Sequence, residues 1–319
     1  MKRIAVLTSG GDAPGMNAAV RAVVRTSINR GLEVFGISHG FLGLLRGDII
    51  RMELSDVGDI IQRGGTALYS ARCNEFKDEE IQQIAVKILK EFEIEGLVVI
   101  GGDGTFRGAY ALEKHGIKTI SIPATIDNDI PFTESSIGFD SALNTVVEAV
   151  DRIRDTATSH ERTFIIEVMG RDSGMLALYS GIASGAESVL IPEVPYNIND
   201  VATKIKRGIE RGKTHSIIIV AEGVMSAEKC SKLLSEQLNI DSRISVLGHI
   251  QRGGRPSSKD RILASRFGYE AVNLLLEGQS GQMVYLTQNS IKHVDYDTVL
   301  NHEKKIDISL IDIINELSI

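Results

Sequence analysis

The chain has 319 residues, with no tryptophan, 6 prolines and only 2 cysteines. Cys73 and Cys230 allow at most one disulfide, and neither sits in a CxxC or zinc-type spacing. A disulfide-stapled scaffold is therefore excluded, and a reducing, cytoplasmic compartment is expected. Long apolar runs are also missing. No stretch approaches a membrane span, and the apolar run in MKRIAVLTSGGDAPG breaks off too early for a signal peptide. Basic residues are in deficit, 35 against 42 acidic, for a formal net charge of -7. Coating a nucleic acid needs a concentrated basic surface, so neither a nucleic-acid nor a membrane partner is expected. A small anion remains admissible, because a local arginine pocket can sit inside an acidic envelope. No Pro/Ser-rich linker divides the chain.

What is present is a globular composition, 43% apolar and 24% charged, at about twice the length of an ordinary domain. Short apolar runs at Ile4–Leu7, Val34–Ile37, Leu97–Ile100, Ile120–Ile122, Phe164–Val168, Val189–Ile191, Ile217–Ala221 and Ile244–Leu247 read as strands. They are continuous rather than alternating, which suits parallel strands covered on both faces. Helical periodicity fills Met16–Arg30, Ala142–Arg154 and Lys259–Leu276. The pattern predicts an α/β fold of two layered αβα domains. Their sheets would be largely parallel and Rossmann-like, with the active site in the cleft between them. The expected domains are 1–138 plus about 252–303, and about 139–251 plus 304–319, with a final helix in the tail from about His302. QRGG occurs twice, at 62–65 and 251–254, which is weak support for a duplication.

Much of the glycine lies where a strand meets a helix. TSGGD at 8–12 follows one predicted strand and GGDGT at 101–105 follows another. Such turns bare backbone N–H groups to an anion, and Asp103 could hold Mg²⁺ through oxygen or water. Neither loop is a GKS/GKT P-loop or a GxGxxG fingerprint. Structural turns with a capping aspartate would look the same. Arg72 could bridge phosphoryl oxygens or be an ordinary surface arginine, and Phe41 could wall a base or anchor a loop. PATIDNDI at 123–130 crowds Thr125, Asp127 and Asp129 into one turn. The cluster reads either as an Asx turn or as a site that divides metal binding from contact with a reacting hydroxyl.

Taken together, TSGGDAPGMNA at 8–18, GGDGT at 101–105, PATIDNDIP at 123–131, IRDTATSHER at 153–162, EVMGR at 167–171, AEG at 221–223 and LGHIQRGG at 247–254 resemble the ATP-dependent 6-phosphofructokinases of bacteria. The resemblance covers essentially the whole chain. It implies transfer of the γ-phosphoryl of ATP to the 1-hydroxyl of D-fructose 6-phosphate. Asp127 would be the base and Asp103 the Mg²⁺-associated carboxylate, with Thr125, Asp129 and Arg171 at the reacting end. Gly11, Phe41, Arg72, Cys73, Gly101, Gly102, Asp103, Gly104 and Thr105 would form the nucleotide site. Met169, Gly170, Arg171, Glu222, His249 and Arg252 would hold the sugar phosphate. Arg162 and Arg243 would come from a neighbouring subunit of a homotetramer. The resemblance further implies a second anion site for ADP as activator and phosphoenolpyruvate as inhibitor. Its residues would be Arg21, Arg25, Asp59, Arg154, Gly185, Glu187, Arg211, Lys213 and His215.

Gly104 and Ala124 are small where related pyrophosphate-dependent enzymes commonly carry aspartate and lysine, which favours ATP as donor. Ala124 departs from the glycine usual in bacterial relatives, and Phe41 stands where some have tyrosine. A pyrophosphate-dependent phosphofructokinase, an NAD or lipid kinase, and a non-catalytic sugar-phosphate-binding regulator are the competing readings.

Overall fold

The computed structural model describes residues 1–238 and 240–318. In chain order its elements are β1 (Arg3–Thr8), α1 (Met16–Asn29), β2 (Glu33–Ile37), α2 (Gly40–Arg46), β3 (Ile49–Arg51), α3 (Glu79–Glu91), β4 (Gly96–Gly101), α4 (Asp103–Lys114), β5 (Lys118–Pro123), α5 (Phe139–His160) and β6 (Thr163–Val168). There follow α6 (Met175–Ser184), β7 (Ser188–Leu190), α7 (Ile198–Glu210), β8 (Ser216–Ala221), α8 (Ala227–Leu238), β9 (Ser242–Val246), α9 (Ser258–Leu276), β10 (Gln282–Thr287), β11 (Ser290–Asp295), α10 (Tyr296–Leu300) and α11 (Ser309–Leu317).

The chain divides into two compact units, and each builds its own sheet. The first comprises Met1–Thr125, Ile130–Asp140 and Arg252–Lys304. The second comprises Ile126–Asp129, Ser141–Gln251 and Lys305–Ile319. Two details correct the expected boundaries. Residues 126–129 belong with the second unit, and the later break falls after Asp140 rather than at 138.

The first sheet runs β11-β10-β5-β4-β1-β2-β3. Its central pairings are parallel, whereas β3 and β11 add antiparallel edges. Alternation along the strands splits their side chains between two faces. Ala5, Leu7, Leu97 and Val99 join Ala85 and Leu89 of α3 and Phe106, Ala109 and Leu112 of α4 in one core. Ile4, Val6, Val98 and Ile100 lie outside that cluster and are fully buried too, as strands covered on both sides require. Each such aliphatic side chain contributes about 1.5–3 kcal/mol of transfer free energy.

The second sheet, β7-β8-β6-β9, is wholly parallel. Ile165, Leu190, Ile218 and Val220 pack with Val201, Ala202 and Ile205 of α7 and with Ala227, Cys230 and Leu234 of α8. Every residue of β8 is buried, which explains its unbroken SIIIVA run. β9 is an edge strand, and Ile244 and Val246 remain 42% and 53% exposed.

The eight strands read from apolar runs are all present. The final helix begins at Ser309, later than the tail from His302 suggested, and Ile319 lies outside the described residues. Among the described residues no helix is long and apolar enough to cross a membrane.

Candidate active site

In the first unit the sheet order places β1, β4 and β5 side by side, so the loops at their carboxyl ends must meet. Hydrogen bonds stitch them together. Ser9 N–H donates to the Ile100 carbonyl at 3.0 Å, the Thr105 hydroxyl donates to the Ser9 carbonyl at 3.2 Å, and Ala124 N–H donates to the Gly101 carbonyl at 2.9 Å. A Cβ on Gly101 would lie 2.5 Å from the Ser9 carbonyl oxygen, so only glycine permits this approach. The space beyond Gly102 and Gly104 is open, with no atom within 4 Å of a Cβ built on either. Gly102 caps α4 without a side chain, which leaves first-turn N–H groups for an anion.

Asp103 opens α4 and is 53% exposed, its carboxylate 2.9 Å from Arg107 Nε. Among the described residues no three His, Cys, Asp or Glu side chains cluster as a metal cage. A single exposed carboxylate beside a turn with bare N–H groups fits Mg²⁺ carried on phosphates, since that ion usually keeps only one or two protein carboxylates.

Three side chains that sequence reasoning missed brace the first loop. The Asn17 side-chain amide donates to the Arg63 and Gly64 carbonyls, both at 3.2 Å, and accepts from Ala67 N–H. The Thr8 hydroxyl donates to the Tyr69 carbonyl at 2.7 Å, and the Ser70 hydroxyl to the Gly10 carbonyl at 2.5 Å. Such polar residues beside a turn carry no distinguishing local signal. Just beyond, Arg72 is exposed and Cys73 half-buried, with burial pushing the Cys73 thiol up. Phe41 is 4% exposed, its ring stacked on Phe76 at 4.3 Å and packed over Gly108. The expected base wall is thus a covered core residue in this conformation.

The second unit holds the acidic end of the TIDND turn. Asp127 is 2% exposed, with Oδ2 3.7 Å from Arg171 Nε. Its main-chain carbonyl accepts the Ser173 hydroxyl at 3.0 Å. Asn128 adopts φ 49 and is buried, whereas Asp129 is exposed. Arg171 itself sits at φ 52, a region costly for a side-chain-bearing residue. Glu222 stabilises that turn, because its Oε1 accepts the N–H groups of Gly170 at 3.2 Å and Arg171 at 2.9 Å. Met169 N–H donates to the side chain of Gln251, which is fully buried and was not singled out from sequence.

The remaining sugar-phosphate candidates are dispersed. Arg162 precedes β6 and Arg243 lies on edge strand β9, both exposed, and His249 follows that strand, exposed as well. Thr125 and Arg252 belong to the first unit. Thr125 N–H donates to the Ile137 carbonyl at 3.0 Å. The half-buried Arg252 donates through Nη1 to the Asp12 carbonyl at 3.1 Å.

Of the nine effector candidates, six lie in the second unit. Arg154 donates to the Ser184 and Gly185 carbonyls, Lys213 Nζ sits 2.5 Å from Glu187 Oε1, and His215 Nδ1 is 3.5 Å from the Thr158 hydroxyl. Burial holds the His215 imidazole below its usual pKa, with Glu187 opposing the shift and Arg154 and Lys213 adding to it. Arg211 and Lys213 line an open depression of about 520 Å³ with Gly208 and Gly212. Arg21, Arg25 and Asp59 belong to the first unit, the two arginines on α1.

The family profile described as Phosphofructokinase matches residues 3–275. The ATP-dependent 6-phosphofructokinase of Shouchella clausii (strain KSM-K16) is 59% identical over 319 residues, covering all of both chains. Among solved structures, phosphofructokinase from Saccharomyces cerevisiae superimposes with a TM-score of 0.88 at 35% identity, over 94% of this chain and 45% of that one. A pyrophosphate-dependent phosphofructokinase from Marinobacter aquaeolei shares the fold, with a TM-score of 0.85 at 24% identity over 97% of this chain and 86% of that one.

Proposed function

Because the chain belongs to the phosphofructokinase family, we propose that it transfers the γ-phosphoryl of ATP to the 1-hydroxyl of D-fructose 6-phosphate. The products are D-fructose 1,6-bisphosphate and ADP. The observation that carries this reading is the 59% identity, end to end, with an ATP-dependent 6-phosphofructokinase. The open space at Gly104 supports a nucleotide donor over pyrophosphate, as does a buried Ala124 in place of a lysine.

In the reaction the sugar O1–P bond forms as the bond from Pγ to the bridging oxygen breaks, leaving ADP. The proton of the 1-hydroxyl passes to Asp127. A carboxylate is a far weaker base than an alkoxide, so this transfer comes late. Orientation and charge stabilisation supply most of the rate. Backbone N–H groups at Gly11 and over 102–104 hold the phosphates, and Arg72 and Arg171 gather the charge of the moving phosphoryl group. Asp103 would hold Mg²⁺ bound with the triphosphate, and the ion would supply further charge neutralisation. Glu222 keeps Arg171 in its left-handed turn through the two N–H bonds it accepts.

Arg162, Met169, Gly170, Glu222, Arg243, His249 and Arg252 form the sugar-phosphate set of this reading, with Arg162 and Arg243 reaching a neighbouring copy in a homotetramer. The exposed Ile244, Val246 and Ile250 around Arg243 support a covered edge there. The cluster of Arg154, Glu187, Lys213 and His215 supports an effector site for ADP and phosphoenolpyruvate.

A coupled assay with ATP, Mg²⁺ and fructose 6-phosphate tests the activity, with pyrophosphate replacing ATP in a second arm. Product with ATP alone is expected. Asp127→Ser should lower kcat by about 10²–10⁴-fold, the range of general acid–base catalysis, with little change in KM for the sugar phosphate. A kcat close to wild type would remove Asp127 from the role.

A further inference from the structure

The two QRGG segments meet in the fold. A Cβ on Gly64 would fall on the Gly254 carbonyl oxygen and lie 3.1 and 3.3 Å from its carbonyl carbon and nitrogen. The pair is a backbone-to-backbone contact that any larger residue would break. The first segment is tied in turn to the start of α1, because Asn17 holds the Arg63 and Gly64 carbonyls. From the second segment the Arg252 side chain returns to the same β1–α1 connection. Its guanidinium lies over Gly11: a Cβ there would be 2.5 Å from Nη1, 3.2 Å from Cζ and 3.4 Å from Nη2. Nη1 donates to the next residue's carbonyl, that of Asp12. The Arg252 head thus meets the β1–α1 connection at both Gly11 and Asp12, while Gly254, two residues on, rests against Gly64.

We propose that Gly11 is a positioning residue for Arg252: the missing side chain is the seat of the guanidinium, so the loop read as a nucleotide site also sets affinity for the sugar phosphate. The proposal rests on the reading of Arg252 as a sugar-phosphate contact. The obstacle a methyl group would create is the far end of a flexible side chain and not backbone. Gly11→Ala should therefore displace the guanidinium and spare the fold. Gly11 has no positive φ, so alanine escapes the left-handed penalty there.

The test is a double-mutant cycle of Gly11→Ala and Arg252→Ala in the full-length protein, read as KM for fructose 6-phosphate, with KM for ATP recorded separately. Loss of a charged hydrogen bond to phosphate should raise the sugar-phosphate KM about tenfold to a hundredfold in Arg252→Ala. Gly11→Ala should raise it in the same direction. The double variant should be no worse than Arg252→Ala alone, because the residue being displaced is gone. Effects that multiply, or a Gly11→Ala KM equal to wild type, overturn the proposal. If Gly11→Ala instead melts at lower temperature, Arg252→Ala should restore the melting point, and a double variant as unstable as the single one overturns it. Wild-type protein that makes no fructose 1,6-bisphosphate defeats the proposed function. The positioning claim is then decided by a crystal structure of Gly11→Ala, where an unmoved guanidinium refutes it and a displaced one supports it.

Discussion

The Ser173 hydroxyl donates at 3.0 Å to the main-chain carbonyl of Asp127, 46 residues away in sequence. The proposed proton acceptor is thus held through its backbone by the turn that also carries Arg171. Ser173→Ala should lower kcat by roughly fivefold, about the net worth of one hydrogen bond, far less than Asp127→Ser. Steady-state kinetics of the two variants decide it, and an unaltered kcat in Ser173→Ala would show that the bond does not orient the carboxylate.

Gly64→Ala should destabilise the protein by about 1–3 kcal/mol, since its methyl group strikes backbone that cannot step aside. Gly253→Ala is the control. It has open space and no positive φ, so its urea midpoint should match or slightly exceed that of wild type. Equal midpoints for all three proteins would mean that the segment 251–254 can move.

The two thiols should separate cleanly. Cys230 is fully buried and its pKa is pushed up to about 11, whereas Cys73 is half-buried beside Arg72. With an aromatic disulfide reagent at pH 8, one thiol should react in the native protein and the second only in denaturant. ATP should slow the first reaction if Cys73 lines the nucleotide site. Two native thiols titrating at one rate would contradict this burial.

His215 gives a pH signature of definite sign. Burial, the leading cause, lowers its folded-state pKa below the usual 6.5. The folded state therefore binds this proton less readily than the unfolded chain. The contribution to stability is complete above pH 6.5 and is lost as pH falls through the depressed folded value. Denaturant midpoints measured between pH 8 and pH 5 should drop more steeply for wild type than for His215→Asn. Parallel curves would remove His215 as a source of the dependence.

Parallel strands were legible because a strand buried on both faces has to be apolar throughout, as Ser216–Ala221 is. β3, β10 and β11 were not. Ile49–Arg51 is only three residues long, and Ser290–Asp295 is largely exposed, so neither shows the run of a central strand. The acidic turn was legible as a cluster. Its assignment to the second unit was not, because residues 126–129 sit between two first-unit segments in sequence.

By itself the sequence determined the glycine loops and the Asp103 and Asp127 positions, since turn chemistry and strand ends are local and short-ranged. Only the tertiary structure decided that Phe41 is covered, that Glu222 bonds the turn of Arg171, and that Gly11 lies under Arg252. Those relationships depend on atoms brought within a few ångströms across tens to hundreds of residues. A missing Cβ has meaning only once the neighbour that fills its space is known.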